Sequence, residues 1–92
     1  MVFVAIREHA PRDCPASNRE INELGMDTQP KIPDIEKRHG IKNLGTHVLH
    51  ASHRQVLILE APDYRSVEAA LTESNVLMWN TVDICESLVD EE

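Results

Sequence analysis

Apolar residues run unbroken in two short stretches, Val2-Phe3-Val4-Ala5-Ile6 and Val56-Leu57-Ile58-Leu59. Four or five consecutive apolar positions leave no polar face on a strand, so both faces of each segment must be covered. The first stretch extends to a strand over Val2 to His9. Its alternate positions are Val2, Val4, Ile6, Glu8 on one side and Phe3, Ala5, Arg7, His9 on the other. Pro11 and Pro15 bracket a loop over Ala10 to Ala16. Ser17 or Asn18 caps a short helix with Ile21 and Leu24 as its apolar stripe, and Gly25 is expected to stop it. Pro30 breaks the segment from Met26 to Lys31. Pro33 suits the first turn of a second helix running to Arg38 or His39, and Gly40 ends it. Ile41 to His50 reads as a second strand, Ala51 to Arg54 as a turn, and Gln55 to Ala61 as a third strand, which makes an antiparallel hairpin. Asp63 caps a helix whose Tyr64, Val67, Ala70 and Leu71 share one face. Ser74-Asn75 closes it, and a last strand falls within Val76 to about Leu88, broken near Trp79-Asn80.

The order strand, helix, strand, strand, helix, strand predicts an α+β, ferredoxin-like βαββαβ domain over residues 1–92. It would be a four-stranded antiparallel sheet with its helices on one face. That leaves an apolar sheet face without helices, so a sheet-to-sheet homodimer is the expected assembly. Which of the pairs Val56/Ile58 and Leu57/Leu59 faces the helices is left open by the pattern.

Composition narrows the partners. Nine basic against sixteen acidic residues give a net charge of −7, which argues against nucleic acid and against anionic membrane surfaces. The apolar stretches are of strand length, too short for a membrane span. No secretory leader pattern is visible at the N-terminus, and Cys14 and Cys85 form no dense disulfide framework, so a cytoplasmic protein with reduced thiols is expected.

Two segments carry a resemblance: Gly40-Ile41-Lys42-Asn43-Leu44-Gly45-Thr46 through His53, and Val56-Leu57-Ile58-Leu59-Glu60-Ala61-Pro62-Asp63. Over about residues 2–88 the chain resembles the dimeric α/β-barrel superfamily. That superfamily includes muconolactone-isomerase-like, antibiotic-biosynthesis-monooxygenase-like and stress-responsive barrel proteins. The resemblance implies a homodimer that binds small molecules in the barrel interior or in a cleft beside it. It implies no single reaction and no single cofactor. The chain departs from many members in its Cys14-Pro15 loop, its histidines, and its three aromatics, Phe3, Tyr64 and Trp79.

Candidate chemistry gathers at the end of the first strand. Arg7 is a charge at an otherwise apolar position and needs either solvent or an anionic partner, such as a carboxylate or enolate. On a helix-facing side its head group would have to reach the rim. His9, two residues on and on the same side, reads first as a solvent-exposed strand-end histidine; at a strand mouth it can also act as a general base near neutral pH. Trp79 suits a pocket wall, a dimer contact or core packing under the second helix, and His47 is a further ligand-binding candidate. Cys14 is either an ordinary loop thiol or one activated by the next helix. His47, His50 and His53 recur every three residues, which on a strand is no ready-made metal motif, although His9 and Cys14 could add ligands. Two functions are compatible with these residues. One is a small-molecule-binding barrel dimer, with a cofactor-independent oxygenase or isomerase as its catalytic form. The alternative is a non-catalytic binding module that takes a transition metal through histidines.

Overall fold

The computed structural model describes residues 1–74 and 79–87. Its elements are β1 (Val2–Glu8), α1 (Arg19–Thr28), α2 (Ile32–Arg38), β2 (Lys42–Leu49), β3 (Arg54–Glu60), α3 (Tyr64–Ser74) and β4 (Thr81–Glu86). Short 3-10 turns occupy Pro11–Asp13, Gln29–Lys31 and His50–Ser52. The strands form one sheet in the order β2-β3-β1-β4, and every adjacent pair is antiparallel. β1 and β2 therefore point the same way with β3 between them, and β3 and β4 with β1 between them. These are two interleaved split β-α-β units, compatible with a ferredoxin-like fold.

Local chemistry accounts for most boundaries. The Asn18 side chain accepts from the Ile21 N–H at 3.1 Å and caps α1. Asp63 caps α3 by accepting from both the N–H and the hydroxyl of Ser66 at 2.8 Å, and these bonds hold its carboxyl below the usual carboxylate range. Gly40 ends α2 at φ +71°, a left-handed position that glycine adopts without strain. Gly25 does not end α1 as the sequence suggests: the helix runs three residues further, to Thr28, with no positive φ at Gly25. The stop comes instead at the Pro30-containing turn. The last strand spans Thr81–Glu86 and comes after Trp79-Asn80. The rest of the expected strand, at 76–78 and at 88, lies outside the described residues.

Register decides the question the pattern left open. Phe3 pairs with Leu59, Ala5 with Leu57 and Arg7 with Gln55, and on the other side Ala5 pairs with Ile84 and Arg7 with Val82. This face carries the core: Phe3, Ala5, Leu57, Leu59 and Ala61 pack with Val67 and Leu71 of α3. Phe3 and Val67 are fully buried and Leu59 nearly so. Burial of a side chain of this size contributes on the order of 1.5–3 kcal/mol. Val4, Ile6, Val56 and Ile58 lie on the opposite face, which the helices leave uncovered. They are half-buried. On β2 the pairing slips between Asn43 and Gly45, leaving Leu44 as an extra residue and almost half exposed. Among the described residues no helix is long and apolar enough to cross a membrane.

Candidate functional site

Helices α1, α2 and α3 do not seal the core face of the sheet. Two hollows of about 230 and 280 Å³ open between sheet and helices, and both are lined by Arg7, Gln29, Ile32, Gln55 and Ser74. The first continues over Leu57 and Leu59 towards Ile35 of α2, and the second runs past Gly25 and Met26 of α1 to Trp79. Gly25 widens the second hollow, since a Cβ built there would meet nothing within 4 Å. These hollows approach the lower end of the size range of small-molecule pockets.

Arg7 is the unusual group in this space. It sits at a core-facing position of β1 and is only 9% exposed. Its Nε–H donates to Gln55 Oε1 at 3.1 Å, and an Nη2–H donates to the same oxygen. The guanidinium carbon lies 4.6 Å from the centre of the Trp79 ring, a cation–π contact. Among the described residues no carboxylate pairs with it. Burial lowers its pKa to about 10, so it remains charged at neutral pH. A helix-facing Arg7 was expected to reach the rim. Instead it stays inside, because Gln55 answers its N–H groups and the hollow gives the head group room.

His9 continues the same face and is 8% exposed, where a solvent-facing histidine was the simpler expectation. Its backbone N–H donates to the His53 carbonyl at 3.1 Å. Its ring packs against His53 edge-on at 5.2 Å and against Trp79, tilted, at 5.0 Å. Nε2 of His9 lies 3.3 Å from Nδ1 of His53, while Nδ1 of His9 is buried without a hydrogen-bond partner among the described residues. Burial and the neighbouring His53 lower the His9 pKa against an opposing pull from Asp13. Arg7 and Trp79 thus border the hollow together, and His9 packs against Trp79 without lining it.

The remaining candidates separate. Cys14, half-buried in the loop after β1, has its thiol close to His9 and His53. His47 pairs with Val56 on the uncovered face of the sheet, pointing away from Arg7. His50 is exposed in the turn before β3. Cys14 and Cys85 are both free thiols, with Cys85 opposite Val4 on the uncovered face. Two contributors were missed. Gln55 alternates with Leu57 and Leu59, so period-two reading alone places a polar side chain on the core face. The pairing of His53 with His9 depends on the β1–β3 register, where Glu8 meets Arg54. No family model, curated protein or solved structure matches the chain.

Proposed function

We propose that this chain is a small-molecule-binding protein of the dimeric α/β-barrel kind, and that its hollow takes a compact ligand bearing a carboxylate. The observation that carries the reading is Arg7: a buried guanidinium, aimed into a cavity wall, with a neutral amide and an aromatic face as its neighbours and no counter-ion among the described residues. Burying a charge without an opposite charge costs several kcal/mol. A carboxylate offers the planar, two-oxygen acceptor that matches a guanidinium fork. Gln55 fixes one edge of that fork and Trp79 stacks on its face, so the group is held in place before a ligand arrives. The apolar walls, Leu57, Leu59 and Ile35, suit a short aliphatic or single-ring body. The reading assigns binding to Arg7, Gln55 and Trp79 and leaves turnover unassigned.

The homodimer belongs to the same proposal. Val4, Ile6, Val56 and Ile58 form a contiguous apolar strip on the face without helices, and a second copy packed sheet to sheet would cover it. Thermal melts against a panel of small carboxylic acids and their matching primary amides test the binding reading. A carboxylate held at about 100 times its Kd stabilises the fold by about 2.7 kcal/mol. The acids should raise Tm and the amides should not. Equal behaviour of acid and amide, or no shift with any acid at millimolar concentration, would remove the proposal.

A further inference from the structure

A second cluster lies against Trp79 and is chemically distinct from the Arg7 hollow. His9 comes from the end of β1, Cys14 from the loop after it and His53 from the residue before β3. One ligand atom from each lies within 4.8 Å of the other two. We infer that His9, Cys14 and His53 form a three-ligand site for a divalent zinc ion, with a fourth position open to water or a ligand donor.

Two observations carry this. The first is distance. Zinc–nitrogen bonds of about 2.0–2.1 Å in a tetrahedron place two ligand nitrogens about 3.3–3.4 Å apart. The two imidazole nitrogens of His9 and His53 already stand at 3.3 Å. On zinc a thiolate at about 2.3 Å stands about 3.6 Å from each ligand nitrogen; the Cys14 sulfur lies within 4.8 Å of a ring nitrogen of each histidine, on a loop between Pro11 and Pro15 whose only regular element is one 3-10 turn. The second is His53 itself. It holds φ +54°, the single non-glycine residue in the left-handed region among those described. Glycine would occupy that turn position at lower cost; histidine, like asparagine, is tolerated there, and its ring packs against His9.

The donor set fits the metal. Two imidazoles and one thiolate are the kinds of ligand found in catalytic zinc sites that keep one position open. On binding, Cys14 gives its proton to solvent and coordinates as thiolate. Backbone bonds hold the frame: the His9 N–H donates to the His53 carbonyl at 3.1 Å, and the Asn80 N–H donates to the Glu8 carbonyl at 2.8 Å. Asn80 also reaches Asp13 Oδ2 at 3.3 Å, tying the Cys14 loop to the start of β4.

Cobalt substitution tests the site. The full chain, stripped with a chelator, is titrated with Co²⁺ and then with Zn²⁺ against a chromophoric competitor. One cobalt per chain with a thiolate-to-cobalt charge-transfer band is expected, displaced by one zinc. Cys14→Ser should abolish the band. His53→Gln should weaken zinc by more than about 100-fold, since even groups behind the ligands are worth 10–100-fold. Both variants lie at loop or turn positions, and their far-ultraviolet circular dichroism should match the parent. His47→Gln, on the other face of the sheet, should bind as the parent does. Absence of the charge-transfer band, its survival in Cys14→Ser, loss of zinc in His47→Gln instead, or binding of copper but not zinc would each overturn the assignment. The carboxylate panel with the stripped protein reads the Arg7 hollow separately, so either proposal can fail without the other.

Discussion

Replacing Arg7 and Gln55 together, by Met and Leu, should make the ligand-free protein more stable while destroying carboxylate binding. Burial pulls the Arg7 guanidinium from its ordinary value down to about 10. At about 1.4 kcal/mol for each pH unit, that is a desolvation cost on the order of 3 kcal/mol for keeping the charge inside. Against it stand the hydrogen bonds to Gln55, worth about 1.5–3 kcal/mol for a charged donor, and the Trp79 contact, worth about 0.5–2 kcal/mol. Those terms nearly offset the cost. Arg7→Met alone is therefore a poor test, because it leaves Gln55 Oε1 buried without its donor. The double change removes both members and fills the space with methylenes against Leu57. Buried charged groups replaced by packed apolar side chains are commonly neutral to stabilising by about 1–4 kcal/mol. The expectation is a gain of about 1–2 kcal/mol, read as a higher urea midpoint at unchanged m, or a Tm raised by about 4–16 °C in a domain of this size. A loss of more than about 2 kcal/mol would refute the reasoning, because it would make the Arg7–Gln55 pair structural support and not a group held in waiting for an anion.

Other expectations rest on the same geometry. Phe3→Ala should cost about 3–5 kcal/mol and Leu59→Ala about 2–5 kcal/mol by urea unfolding, since both empty enclosed sites against α3; a loss below about 1 kcal/mol at either would contradict the assigned core face. Ile58→Asp should leave a folded monomer by sedimentation velocity where the parent sediments as a dimer; a monomeric parent would sink the sheet-to-sheet assembly. His9 is a cation in its acid form with a folded pKa held below 6.5, so the unfolded chain takes up its proton first as pH falls. Its contribution to stability is complete above 6.5 and is lost as pH drops through the folded value. Urea midpoints of the chelator-stripped protein between about pH 8 and 5 should show this loss, and His9→Gln should flatten it; the facing His53 and Asp13 remain in both proteins as the common background.

Much of the fold was legible because it rests on local chemistry. The unbroken runs at 2–6 and 56–59, the Asp63 cap and the Gly40 stop each depend on a few neighbouring residues. The expected stop at Gly25 failed because glycine terminates a helix only when the chain needs a left-handed turn, and here the Pro30 turn supplies the break. The facing of β3 could not be read from Val56-Leu57-Ile58-Leu59, since an all-apolar run carries no phase. Arg7 and Gln55 do carry it: two polar groups on the core side of neighbouring strands mark a cavity rather than a packed interior. The meeting of His9 with His53 was out of reach, because it depends on how β1 and β3 align two residues 44 positions apart.

The most direct test of the carboxylate site is the Arg7 side-chain Nε–H resonance in a ¹⁵N-labelled sample. Burial and the bond to Gln55 shield this proton from exchange, so it should be visible at neutral pH. Titration with a small carboxylic acid from the stabilising panel should move it saturably, at the same midpoint as the Trp79 indole N–H, while the matching amide leaves both in place. An Arg7 resonance that stays fixed while the acid binds elsewhere on the chain would contradict the account.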